Sequence, residues 1–120
     1  MKVLLVEDDP DIQLVARTSL KRAGFTVTVT SNGPSALEQV QVDRPDVVLL
    51  DWMMPEMDGT EVCRRLKDDP LTADIPVIFL TARSQQSEIA RGLALGATGY
   101  IVKPFDALAL GTQVREILAR

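Results

Sequence analysis

Three carboxylates, a hydroxyl and an ammonium are the groups in this chain best placed to do chemistry: Glu7, Asp8, Asp51, Thr81 and Lys103. Each stands at the end of an apolar run. Asp51 closes Val47-Val48-Leu49-Leu50, and a loop punctuated by Pro55 and Gly59 follows at once. Glu7 and Asp8 end Val3-Leu4-Leu5-Val6 in the same manner, Thr81 ends the run before it, and Lys103-Pro104 follows the last. A charge at the end of a buried strand is costly unless it is paired, hydrogen-bonded or bound to a metal. Two or three carboxylates with no histidine or cysteine nearby suit a hard divalent cation with oxygen ligands, Mg²⁺ first among them. The metal, the lysine and the threonine can each take one oxygen of a phosphoryl group as charge spreads in the transition state. Asp51 is then free to attack phosphorus as a nucleophile and become an acyl phosphate.

Such residues need elements that bring them together. Five apolar runs, at 3–6, 27–29, 47–50, 77–80 and 100–102, alternate with five segments of helical period. The first, third and fourth runs are nearly continuous in apolar character, as expected of strands covered on both faces. The second alternates as Thr26-Val27-Thr28-Val29-Thr30, the pattern of a half-exposed strand nearer a sheet edge. Asp9-Pro10 predicts a helix start, followed by a stripe of Ile12, Val15, Ala16, Leu20 and Ala23 and a stop at Gly24. Asn32-Gly33-Pro34 starts a second helix carrying Ala36, Leu37 and Val40. Asp58-Gly59 starts a third, with Val62, Cys63 and Leu66, stopped before Pro70. Ile89, Leu93 and Leu95 mark a fourth, ended by Gly96. Asp106 caps a fifth, with a stripe of Ala107, Leu110, Val114, Ile117 and Leu118. Strand and helix alternating in this way imply an α/β domain over residues 1–120, a (βα)5 parallel sheet with helices on both faces. Residues just past the carboxyl ends of its strands gather along one edge, and the five chemical residues all fall there.

The bulk composition removes other classes. The 120 residues suffice for one domain, with 46% hydrophobic and 25% charged residues as in ordinary soluble proteins. A net charge of −4 does not suggest direct nucleic-acid or acidic-membrane binding. There is no histidine, which excludes Ser-His-Asp, Cys-His and His–metal chemistry within the chain. Cys63 is the only cysteine, so no internal disulfide forms, thiolate metal sites are excluded, and a cytoplasmic setting is expected. No apolar run approaches a membrane span, and the N-terminus reads as a first strand rather than a signal peptide.

Four segments, in this order and over essentially the full length, resemble the receiver domain of two-component response regulators. They are Val6-Glu7-Asp8-Asp9, Leu50-Asp51-Trp52-Met53-Met54-Pro55-Glu56-Met57-Asp58-Gly59, Leu80-Thr81-Ala82, and Gly96-Ala97-Thr98-Gly99-Tyr100-Ile101-Val102-Lys103-Pro104-Phe105. The resemblance implies the flavodoxin-like fold, a five-stranded parallel sheet of order 2-1-3-4-5. It implies Asp51 as phosphoacceptor and part of a Mg²⁺ site, Asp8 as a direct Mg²⁺ ligand, and Glu7 acting mostly through metal-bound water. The backbone carbonyl of Met53 completes the protein ligands. Thr81 donates its hydroxyl to the bound phosphoryl and Lys103 pairs with it. The Lys103–Pro104 peptide is expected to be cis. Tyr100 resembles the aromatic switch residue that moves inward when the threonine is drawn to the phosphate. The implied function is a phosphorylation-activated signalling switch, not an enzyme with steady turnover. A histidine kinase or histidine phosphotransfer protein supplies the phosphoryl group. The surface of the fourth helix, fifth strand and fifth helix then changes to control a partner or an attached output domain.

Other readings of single residues are plainer. Asp9 and Asp58 read as helix caps, Cys63 as a small buried hydrophobe, and Tyr100 alone as a packing residue. A Mg²⁺-dependent phosphatase would use the same nucleophile, metal, threonine and lysine, but Met53 stands where it needs an acid, two residues after Asp51. A binding module without phosphorylation has no support from a complete set of chemical residues, and a flavin site lacks a phosphate cradle. Two departures from the family pattern matter. Ile89, Thr98 and Gln113 replace charges through which some winged-helix response regulators dimerise, so the isolated domain is expected to be a monomer. Met53 and Arg83, two residues after Asp51 and Thr81, are an apolar side chain and a cation that position an attacking water poorly, so slow self-dephosphorylation is expected.

Overall fold

The computed structural model describes residues 1–82 and 86–120. Five parallel strands, β1 (Lys2–Val6), β2 (Thr26–Thr30), β3 (Val47–Asp51), β4 (Val77–Thr81) and β5 (Gly99–Val102), form one sheet of order β2-β1-β3-β4-β5. Between and after them run α1 (Pro10–Arg22), α2 (Gly33–Val42), α3 (Gly59–Asp68), α4 (Gln86–Ala94) and α5 (Leu110–Leu118). This is the flavodoxin-like architecture and strand order expected from the sequence.

The apolar runs are continuous because the central strands bury both faces. On one face Leu4, Val6, Val48, Leu50, Val77 and Phe79 pack with Ala36 and Val40 of α2 and Val62, Cys63 and Leu66 of α3. On the other, Val3, Leu5, Val47, Leu49, Ile78, Leu80 and Ile101 pack with Ala16 and Leu20 of α1 and Leu110, Val114 and Ile117 of α5. All five residues of β3 and of β4 are buried, whereas the alternating β2 lies at the edge and is only half-buried. The Cys63 thiol is buried, and burial pushes its pKa up, which leaves it an inert hydrophobe.

Local signals set the helix ends. Asp9 caps α1 by accepting from the Asp11 and Ile12 amides, with Pro10 at the first helical position. Asn32 and Asp58 cap α2 and α3 through the Ser35 and Glu61 amides. Gly24 and Gly96, at φ +97° and +100°, turn the chain out of α1 and α4.

One boundary differs from the sequence reading. Asp106 does not cap α5: its Oδ1 accepts from the Leu108 amide at 2.9 Å, and its carbonyl accepts from the Ala109 amide at 3.0 Å. That side-chain bond two residues on makes a turn that competes with the helix, which begins only at Leu110 without a side-chain cap. Ala107 therefore leaves the buried stripe. Val15 of α1 and Leu93 of α4 are likewise 44% and 47% exposed, because each helix covers the sheet with a narrower face than its apolar pattern suggests.

Candidate functional site

The carboxyl ends of β1, β3, β4 and β5 meet along one edge. Register places Asp51 beside Leu80, and Thr81 beside Val102, immediately before Lys103. Glu7 follows Val6, which pairs with Leu50. Glu7 and Asp51 are buried at 0% and 5% exposure, while Asp8 is exposed. One carboxylate oxygen from each of Glu7, Asp8 and Asp51 lies within 4.8 Å of the others. The sequence reading named these three residues as metal ligands, and the fold brings them together.

Among the described residues, Lys103 is the cation paired with this cluster. Its Nζ lies 2.6 Å from Glu7 Oε1 and 3.0 Å from Asp51 Oδ1, with its side chain only 16% exposed. Burial alone would lower the lysine pKa, but the Glu7 and Asp51 carboxylates outweigh it and the net shift is upward. Glu7 moves the opposite way from a typical paired carboxylate. Burial is the largest influence and drives its pKa from 4.5 up to about 7; the neighbouring Asp51 adds to this, and Lys103 and the Asp9 amide oppose it. Among the described residues, Lys103 pairs with two of the three acidic groups, so the cluster concentrates negative charge that a divalent cation would relieve. The donor set of hard carboxylate oxygens, one of them open to solvent, fits such an ion.

The remaining predicted residues fall around this centre. Thr81 is buried, at 3% exposure, on the end of β4. Tyr100 is 39% exposed, and it lines with Thr81, Trp52, Ile89, Gly92 and Leu93 a narrow cavity of about 10 Å³. The Lys103–Pro104 peptide is cis, as expected. Met53 lies in the loop 52–58 and is 62% exposed. Arg83 lies outside the described residues. Trp52 turns inward at 7% exposure, its ring 4.7 Å from that of Phe79.

Two features of this edge were not apparent from residue types. The Gly59 amide donates to Trp52 O at 2.9 Å, folding the loop back so closely that a Cβ at Gly59 would meet Asp51 O at 2.2 Å. Gln13 of α1 donates its side-chain amide to Glu7 O and to Ser31 Oγ. The only cue to the first was the Asp58-Gly59 helix start; nothing local pointed to the second.

Comparison with known proteins agrees with this geometry. The family model described as the response regulator receiver domain matches residues 3–115. The transcriptional regulatory protein CseB of Streptomyces coelicolor is 43% identical over 118 residues, 98% of this chain and 49% of that protein. The crystal structure of a putative response regulator from Chloroflexus aurantiacus superposes with a TM-score of 0.91 at 34% identity, covering 99% of this chain and 98% of that one. The chemotaxis protein CheY4 of Vibrio cholerae gives 0.91 at 32% identity, covering 97% of each. The chain belongs to the receiver domain family of two-component response regulators. It spans about half the length of the curated relatives it matches.

Proposed function

We propose that this domain is a phosphorylation-controlled switch in which Asp51 accepts a phosphoryl group from a histidine kinase or a histidine phosphotransfer protein. The observation that carries this reading is the convergence of Glu7, Asp8 and Asp51 within 4.8 Å, with the Lys103 ammonium 3.0 Å from Asp51. The chemistry is balanced within the pair of proteins: an Asp51 oxygen bonds to phosphorus as the phosphorus–nitrogen bond of the donor breaks, and the electron pair returns to the donor imidazole. Asp8, Asp51 and the Met53 carbonyl would hold Mg²⁺, with Glu7 acting through a water. Bound there, the ion neutralises charge developing on the phosphoryl oxygens. Lys103 pairs with a second oxygen and Thr81 donates to a third.

A further observation supports a protein donor. A cleft of about 370 Å³ lined by Ile12, Val15, Ala82, Pro104 and Phe105 opens directly beside Lys103. Its apolar walls suit the helix of a partner that must bring a phosphorylated side chain to Asp51. After phosphorylation, Thr81 is drawn toward the new charge, and Tyr100, on the same small cavity, turns inward. The surface of α4, β5 and α5 then reports the state to a partner or an attached output domain.

The chemistry ends at formation and hydrolysis of the aspartyl phosphate, without turnover of a small-molecule substrate. Met53 stands two residues after Asp51, where a phosphatase of this design needs an acid. The domain acts in the cytoplasm as a monomer; among the described residues no helix is long and apolar enough to cross a membrane. Trp52, the only tryptophan and next to Asp51, supplies the test. Mg²⁺, and then beryllofluoride as a phosphoryl mimic, should each change its fluorescence. No change at either step would contradict the proposed site.

A further inference from the structure

Glu7 stands one residue beyond the β1 ladders, which end at Val6. Its N–H still finds a strand partner, donating to Thr30 O at 3.0 Å. Its carbonyl has passed the last ladder position, yet the residue is 0% exposed. A buried carbonyl needs a donor. Gln13, in the first turn of α1, supplies it: Nε2 donates one proton to Glu7 O and the other to Ser31 Oγ at 3.1 Å. Both protons of the primary amide are used. A half-buried side chain on α1 thereby ties the end of β1 to the residue that follows β2.

The carbonyl held by Gln13 belongs to the peptide joining Glu7 to Asp8. Fixing that peptide plane fixes the direction in which Asp8 leaves the backbone. Glu7 is buried and Asp51 nearly so, and both are held by Lys103; Asp8 is the exposed member of the cluster and depends most on its backbone for direction. We propose that Gln13 is a positioning residue that sets the divalent-cation affinity of the Glu7, Asp8 and Asp51 cluster by orienting the Glu7–Asp8 peptide. Without the amide, the carbonyl is left buried and unpaired, the peptide turns to find another donor, and the carboxylate oxygens spread. Gln13 touches neither cation nor phosphoryl group. Its role rests on the cation-binding reading of the cluster.

The test is a Mg²⁺ titration of Trp52 fluorescence at about pH 8 in the full chain. Gln13→Met keeps the side-chain length and removes the donor, and Gln13→Leu is a second donor-free variant should either fail to fold. Gln13→His keeps an uncharged ring N–H at a similar reach from the backbone. Both donor-free variants should raise the Mg²⁺ midpoint about tenfold, and the histidine variant should stay within about threefold of wild type. The Mg²⁺ concentration for half-maximal labelling by acetyl phosphate should rise in parallel, while the rate at saturating Mg²⁺ stays within about twofold of wild type. A merely structural tie would lower the melting temperature and leave the Mg²⁺ midpoint alone. A wild-type midpoint in a folded donor-free variant would overturn the role of Gln13, as would a histidine variant as weak as the methionine one. No Mg²⁺ response in the wild type itself would remove the cation reading, and the role of Gln13 with it.

Discussion

The Lys103 ammonium lies closer to Glu7, at 2.6 Å, than to Asp51, at 3.0 Å. The buried glutamate, not Asp51, is the tighter partner of the lysine. The result is a pH dependence whose sign is set by burial. The Glu7 pKa stands at about 7 in the folded protein against an ordinary 4.5, so the folded state holds this proton more tightly than the unfolded one. The contribution is greatest below the ordinary value and is lost as pH rises through the folded one. Lys103, also raised, contributes below its ordinary 10.5 and does not enter this window. In EDTA, wild type should lose on the order of 2 kcal/mol of stability relative to Glu7→Gln between about pH 5 and about pH 8. Urea unfolding of both proteins across that range checks it; a constant difference would show that Glu7 does not titrate there.

Crowded carboxylates would make binding of a metal at the cluster a stabilising event. Mg²⁺ at about 100 times its dissociation constant should raise the melting temperature by on the order of 10 °C. Asp51→Asn removes a charge that pushes Glu7 upward and leaves Lys103 to Glu7, so in EDTA it should stabilise the fold by about 1 kcal/mol. Its response to Mg²⁺ should be smaller than that of the wild type. Thermal melts of the two proteins with and without Mg²⁺ decide both points.

Gly59 sets two effects against each other. At the first position of α3, alanine would ordinarily gain about 1 kcal/mol over glycine in helix propensity. The added Cβ would lie 2.2 Å from Asp51 O, a backbone atom of a buried strand, and overpacking of this kind costs about 1–3 kcal/mol or more. The clash wins. Gly59→Ala should melt on the order of 5 °C lower and take phosphoryl from acetyl phosphate more slowly, because relief of the clash moves Asp51.

Glu56 is the non-glycine residue with positive φ, +69°, among the described residues, and the Met57 amide bonds back to Pro55 O at 2.8 Å across it. A side chain in this conformation costs about 1–2 kcal/mol, part of which glycine would return as unfolded-state entropy. Glu56→Gly should therefore stabilise the protein by about 0.5 kcal/mol. A melting temperature below that of wild type would mean that the Glu56 side chain makes a compensating contact.

Most of this fold is legible in residue patterns because burial is so even. The central strands are covered on both faces and read as unbroken apolar runs, the edge strand alternates, and Asp9-Pro10, Asn32 and Asp58 mark helix starts through their own side chains. The candidate site is legible for the same reason: a charged or hydroxylic residue ends an apolar run each time. The start of α5 was misplaced because Asp106 can serve either a helix or a turn, and its local sequence does not separate the two. Gln13 was missed because its role arises only when α1 is packed against the ends of β1 and β2. The division of Lys103 between Glu7 and Asp51 was also hidden, since it depends on how deeply each carboxylate is buried.

Self-dephosphorylation should be slow. Met53 is exposed two residues after Asp51, yet its side chain has no group able to act as a base on an attacking water. Loss of label from the purified phosphoprotein should take many minutes in Mg²⁺, and a polar Met53→Asn variant should hydrolyse faster. A lifetime of seconds in the wild type would contradict this.

The central assignment is Asp51 as the phosphoryl acceptor, and its most direct test is the position and linkage of the group. The chain should be incubated with acetyl phosphate and Mg²⁺, digested and mapped by mass spectrometry with and without hydroxylamine, which cleaves acyl phosphates. One phosphoryl group on the peptide containing Asp51, removed by hydroxylamine and absent in EDTA or in Asp51→Asn, is the expected result. A label on another peptide, or one that persists in Asp51→Asn at the wild-type rate, would contradict it.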